Sequence, residues 1–206
     1  MSPEIRSFAT ADTDQLYAIS LATGDLGGDA SHLYDDAKLM GHVYAGAYAA
    51  LEPALILVLV DDIGVSGFAL GVPDTAGWEL RLEREWWPPL RAYYSDPIDY
   101  PEPERTPDQR RANMIHHPRM TPSEVSDAYP AHLHLNLLPR AQGRGWGTRL
   151  MRSWLLLAAD QCAEAVHVGA NRGNERAVAF WRRSGFSPVL EQGSTIWLGL
   201  KMAQTP

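Results

Sequence analysis

The chain has 206 residues, 45% hydrophobic and 21% charged, with a formal net charge of −7; this is ordinary globular composition, sized for one domain or one domain with an insertion. The acidic balance argues against a nucleic-acid binder, which needs a basic face for phosphates, and no window approaches the roughly 18 consecutive apolar residues of a membrane span. A single cysteine, Cys162, excludes an internal disulfide framework, and MSPEIRSFAT lacks the basic and apolar regions of a secretory leader, so the expectation is a cytoplasmic protein with no nucleic-acid and no membrane partner.

In chain order, Glu4–Phe8 reads as a first strand, and Asp12 as the N-cap of a helix running to about Ala22. ATGDLGGDASHLYDD is a glycine- and aspartate-rich loop. A second helix is expected from Asp36 to about Leu51, loosened by Gly41 and Gly46. LILVLV and VSGFALGV, joined at Asp61-Asp62-Ile63-Gly64, form a hairpin, and so apolar a strand as the first expects cover on both faces. Residues 74–130 read as a Trp- and Pro-rich insertion in a single domain spanning 1–206: an amphipathic helix broken at Pro88-Pro89, an extended acidic stretch, then a short helix in RTPDQRRANMI. AHLHLNLL alternates as a strand should, and Gly147–Ala163 carries the wide apolar stripe of a helix. Ala165–Val168 is a strand. Asn174–Ser184 is a helix with Glu175 in its first turn, Arg182 and Arg183 in its last and Gly185 beyond its end; FSPVL and TIWLGLKM close the chain as strands.

The densest signal lies at LLPRAQGRGWGTRL, where Gly143, Gly145 and Gly147 alternate between a strand and a helix. The first four amides of a helix lack intrahelical partners, and the macrodipole adds positive potential there. Glycines remove the Cβ atoms that would hold a bulky anion away and permit positive φ. The stretch is therefore either a tight turn or a cradle for a diphosphate. No Lys-Ser/Thr follows, as a Walker loop requires, and the motif lies too late in the chain for a dinucleotide fingerprint.

Gln142-x-x-Gly145-x-Gly147 matches the Q/R-x-x-G-x-G/A signature of the GNAT N-acetyltransferases, and NERAVAFWRRSGF from Asn174 to Phe186 resembles their second signature. The element order fits too, outside residues 74–130. The fold this resemblance implies is a mixed α/β one: a central, largely antiparallel sheet with helices on both faces. It implies an enzyme that transfers the acetyl group of acetyl-CoA to an acceptor amine, with coenzyme A as product. YAISLATGDLGG, LMGHVYAGAYAALEP and the hairpin that follows resemble more closely the acetyltransferase-like C-terminal domain of O-GlcNAcase and its free-standing bacterial relatives. That kinship, with two residues discussed below, also admits a catalytically weak module that binds CoA or a peptide.

Carried over position by position, the resemblance gives the backbone of Leu137 and Leu138 the role of pairing with the pantetheine arm. The amides of Gly143, Arg144, Gly145, Trp146, Gly147 and Thr148, braced by Gln142, would hold the pyrophosphate, with Arg140 or Arg144 adding charge. Asn174 would meet the pantetheine amide, cap its own helix, or both. Trp181 stands where the family has a tyrosine that protonates the leaving thiolate. Indole has no usable acid, so the chemistry is expected to be slower, or Trp181 simply packs. On the strand, His132, His134 and Asn136 share one face; His134 is the candidate base, and Asn136 occupies a position where O-GlcNAcase-like domains can carry aspartate. His116, His117, His132 and His134 have no metal-ligand spacing, so no metal is expected. His167 reads as a satisfied core histidine. Asp25, Asp29, Asp35 and Asp36 make the first loop acidic, which suits a cationic acceptor or merely caps helices; Trp78, Trp86 and Trp87 are expected at the acceptor entrance or in a homodimer contact.

Overall fold

The computed structural model describes residues 3–202. The Met1-Ser2 start of the leader reading and the extreme ends of the 1–206 domain lie outside the described residues. Strand β1 (Glu4–Ser7) leads into helix α1 (Thr13–Ala22), whose Leu16 and Ile19 are buried. The expected second helix is two short ones, α2 (Leu39–Tyr44) and α3 (Gly46–Leu51), because Ala45 leaves the helical region at φ −137°. Gly41 and Gly46 do more than loosen this segment: a Cβ on either would collide with the Tyr17 side chain.

The hairpin forms as expected, as β2 (Ile56–Val60) and β3 (Val65–Val72). In the insertion, α4 (Thr75–Arg81), a π turn (Leu82–Trp86) and α5 (Trp87–Tyr93) run on without a break at Pro88-Pro89. The prolines sit in the first turn of α5, where their missing N–H groups need no partner. Helix α6 (Pro107–His116) starts with a capping box between Thr106 and Gln109, and a single turn, α7 (Ser123–Ser126), follows. Then come β4 (Ala131–Leu137), α8 (Trp146–Ala159), β5 (Ala165–Asn171), α9 (Glu175–Arg183), β6 (Ser187–Gln192) and β7 (Thr195–Lys201).

All seven strands join one sheet in the order β1-β2-β3-β4-β5-β7-β6. Every neighbouring pair is antiparallel except β4 and β5. One apolar layer joins the sheet to α8 and α9 through Leu133, Leu137, Leu150, Trp154 and Trp181; the other joins it to α1, α3 and α4 through Leu16, Tyr48, Phe68 and Trp78. The insertion has no separate core: its Trp87 and Ile115 are buried together with Leu39 of α2.

Candidate active site

Strands β4 and β5 pair only at Ala131↔Val166 and His132↔His167. Beyond those positions β4 continues to Leu137 and β5 to Asn171, so the sheet opens into a cleft. A parallel pair that stops after two residues leaves backbone groups without ladder partners. The Leu138 amide donates to the Ser66 carbonyl at 2.8 Å. By antiparallel alternation the Leu137 amide therefore points away from β3, into the cleft.

The glycine loop sits at the mouth of this cleft. Gly143 and Gly145 have φ of 72° and 79°, the left-handed region, and a Cβ on either would meet nothing within 4 Å. Gly145 is the N-cap of α8, a helix of 14 residues. Among the described residues, none of the six successive amides from Gly143 to Thr148 has a protein acceptor, whereas the next, Arg149, bonds back to the Gly145 carbonyl at 3.2 Å. Gln142 Nε2 donates to the Leu137 carbonyl at 2.6 Å and ties the loop to the end of β4. Arg144 is exposed, and the Arg149 guanidinium lies 4.7 Å from the Trp146 ring centroid. Open backbone donors, a helix dipole and space above the glycines are the features that anion binding at a helix start calls for.

Across β4, the even-numbered side chains face α1 and α3. Thr75 Oγ1 has one proton, which it donates to the Pro130 carbonyl at 2.6 Å. Its 2.9 Å contact with His132 must then run from Nδ1–H to Oγ1, which leaves Nε2 bare to accept from the Tyr48 hydroxyl at 2.5 Å. Burial, then the neighbouring His134 and His167, hold the His132 pKa well below its ordinary value, so it is neutral. His167 donates from Nδ1 to the Tyr129 carbonyl at 2.6 Å and is a satisfied core histidine, as expected. His134 differs from both. Its ring lies 5.5 Å from His132 and 5.8 Å from Tyr48, and it makes no hydrogen bond to any described residue. Burial and the charge of His167 press its pKa down to about 4. It is a neutral imidazole with a free lone pair, partly open to solvent. Asn136 donates to Thr23 Oγ1 at 2.7 Å, so it holds the end of α1 against β4.

A profile of the "Acetyltransferase (GNAT) family" matches residues 111–186, the segment that contains β4, the glycine loop, α8, β5 and α9. The solved structure of SsHAT is 34% identical over 99% of this chain and 100% of that one, with a TM-score of 0.92. The chain belongs to the GNAT acetyltransferase family. More distant structures share the fold: PaiA N-acetyltransferase of Thermoplasma acidophilum, in complex with coenzyme A, at 14% identity and TM-score 0.60 over 98% and 100% of the two chains; and YncA of Salmonella typhimurium, with acetyl-CoA, at 14% and 0.56 over 100% and 97%.

Several expectations change within this acetyltransferase. Leu138 is engaged on both sides, since its carbonyl also accepts from the Ala141 amide at 2.9 Å; the cleft edge belongs to Leu137. Arg140 is bound to Asp61 at 2.8 Å and to the Val65 carbonyl at 3.1 Å, so it braces the hairpin and does not reach the glycine loop. Trp181 is 6% exposed, with Phe180 and Phe186 at 4.9 and 5.0 Å between ring centroids, and it packs. Asn174 caps α9 by accepting from the Ala177 amide at 3.0 Å; its Nδ2 lies against Gly27, where the first loop crosses toward α9.

In the acidic loop, two of the four aspartates are engaged in local turns and a side-chain contact, and neither caps a helix. Asp29 accepts from the Ser31 amide and hydroxyl, and Asp36 from the Lys38 amide and the Tyr94 hydroxyl. Trp78 and Trp87, each 5% exposed, are buried where surface tryptophans were expected, and Trp78 stacks on Tyr48 at 4.7 Å. Sequence reasoning missed Thr23, Tyr48 and Thr75. They lie 113, 84 and 57 residues from their partners on β4, and nothing local in the sequence marks them.

Proposed function

We propose that this acetyltransferase, working as a single domain over residues 1–206, moves the acetyl group of acetyl-CoA to an acceptor amine. The observation that carries this reading is the run of six acceptor-free amides from Gly143 to Thr148 at the start of α8. They suit the CoA diphosphate, with Arg144 nearby and the Leu137 amide and Asn174 Nδ2 available to the pantetheine arm. When bound, acetyl-CoA supplies an activated carbonyl and a thiolate leaving group.

His134 is assigned as the proton acceptor. A base held near 4 does not strip an alkylammonium of reference pKa about 10.4. It takes the proton, directly or through water, once attack has made the nitrogen more acidic, so the neutral fraction of the acceptor reacts. Trp181 offers no acid, so protonation of the leaving sulfur falls to water, at a cost of about 2 kcal/mol at pH 7 for a thiol of reference pKa near 8.5. Asn136 acts by positioning Thr23 and the first loop. Kinship to the O-GlcNAcase acetyltransferase-like domain is part of this reading, because the stretches that resemble it supply Thr23 and Tyr48. A weakly active binding module is the second reading, favoured by the burial of Trp181.

Acetyl-CoA at 100 times its Kd is expected to raise stability by about 2.7 kcal/mol, read as a melting shift. Thiol release with an amine panel then separates an active enzyme from a binding module. No shift at millimolar acetyl-CoA would overturn the first reading and leave of the second only a peptide-binding module.

A further inference from the structure

We infer that Arg111 is an anion subsite for the acceptor, and that the acceptor amine carries a carboxylate; this rests on the proposed acetyl transfer. Arg111, on α6, is half-buried. Among the described residues no carboxylate lies within ion-pairing distance of it. Its Nε donates to the Tyr34 hydroxyl at 2.9 Å and also meets the Met40 sulfur at 3.2 Å, while Nη1 meets the Met114 sulfur at 3.2 Å. The Tyr34 and Tyr44 ring centroids stand 5.9 and 5.5 Å from the guanidinium carbon. The nearby acid of α6, Asp108, is turned to the amides of Asp35 and Asp36.

Donors outnumber acceptors here. Thioether sulfur accepts weakly, Nη2 has no partner among the described residues, and the Tyr44 hydroxyl finds only the Met114 sulfur, at 3.8 Å. A guanidinium moved partly out of water needs an anion to offset its lost hydration, and its planar fork matches a carboxylate in two parallel hydrogen bonds.

The group is joined to the transfer site by contacts. Asn136 holds Thr23; the next residue, Gly24, packs against the Met40 methyl, and the Met40 sulfur touches Arg111. These linking residues are packed, Thr23 and Met40 being buried, so an acceptor would have to reach over them to present its amine to the His134 face of β4 and its carboxylate to Arg111.

The test uses the full chain with linear ω-amino acids of increasing length and their primary amides, in two assays: acetyl transfer, and the melting temperature of the CoA-loaded protein. At one chain length the acid is expected to exceed its amide in kcat/KM by roughly tenfold or more, the range for a hydrogen bond between charged partners. Arg111→Gln brings that ratio to about one, and Arg111→Lys keeps part of it. An ω-amino phosphonate arm separates carboxylate recognition from phosphate recognition; a preference for the phosphonate overturns the assignment. Equal behaviour of acid and amide in both assays, or an unchanged ratio in Arg111→Gln, overturns it too. Failure of acetyl-CoA to bind overturns the earlier reading instead, and acid-specific stabilisation of the free protein then decides this one.

Discussion

On one face of β4, Leu133 and Leu137 pack with Leu150 and Trp154 of α8, which starts nine residues after the strand ends. On the other, His132, His134 and Asn136 meet Tyr48 and Thr75 or lie beside Thr23, all contributed from far along the chain. The first face is local in sequence and apolar, so shape and volume decide it. The second is a polar surface closed by long-range contacts, and individual hydrogen bonds decide it. The cofactor reading draws on the local half, while the chemistry and acceptor choice draw on the assembled half.

The largest test of the local half is Trp181. Trp181→Ala removes a fully packed aromatic and should cost about 3–5 kcal/mol of stability, measured by denaturant unfolding. Trp181→Phe should keep the fold and leave kcat within about twofold, because the indole donates to nothing described. A large loss of kcat in a well-folded Trp181→Phe protein would return the residue to the chemistry.

Next comes the loop that joins the two halves. Gly145→Val places a branched side chain at φ 79° and in the space above the α8 amides. Acetyl-CoA affinity should fall by about 100-fold, the loss of two charge-assisted hydrogen bonds, as titration calorimetry would show. The left-handed backbone costs a further 1–2 kcal/mol or so in the free protein, which its own melting curve separates from the binding effect. Unchanged affinity would place the diphosphate elsewhere.

These two sites also mark what was legible in the sequence. The glycine loop, α8, β5 and α9 were readable because periodicity and caps are local: Asn174 opens α9, and Gly185 ends it at φ 96°. The hairpin was readable for the same reason. Not legible were the split at Ala45, on either side of which the Tyr17 ring lies against Gly41 and Gly46, and the burial of Trp78 and Trp87. Those depend on what the insertion covers, and periodicity carries no record of partners. Arg140 differs for a related reason: its place two residues before the motif suggested phosphate, but its guanidinium is bound to the Asp61 carboxylate.

The assembled half is tested by acid. His132, His134 and His167 all have folded pKa values lowered chiefly by burial, His134 to about 4. The unfolded chain, with histidines near 6.5, binds more protons between those values, so stability falls as pH drops from about 6.5 toward 4. At about 1.36 kcal/mol per unit, His134 alone accounts for up to about 3 kcal/mol, and for less because its ring is partly open to water. Asp12 and Asp61, lowered mainly by hydrogen bonds from Arg6 and Arg140, titrate below this window. Thermal melts at half-unit pH steps should give a slope that His134→Gln reduces. The same variant should lower kcat/KM by about 100-fold, the small end for a lost general base. The wild-type rate should show no inflection near 6.5, and one there would mean a different histidine takes the proton.

The smallest expected effect belongs to Arg140, and it sharpens the boundary between the halves. The side chain stands two residues before the glycine signature, yet its guanidinium is committed to Asp61 and Val65 on the β2–β3 hairpin. Arg140→Ala should therefore cost stability, about 1 kcal/mol for a partly exposed pair, and leave acetyl-CoA affinity within about twofold at moderate salt. Arg144→Ala, where the side chain is exposed and without a described partner, should weaken acetyl-CoA by several-fold and reduce the salt dependence of binding. If the two variants exchanged these behaviours, the hairpin would belong to the cofactor site, and the cradle would extend beyond the amides of one helix.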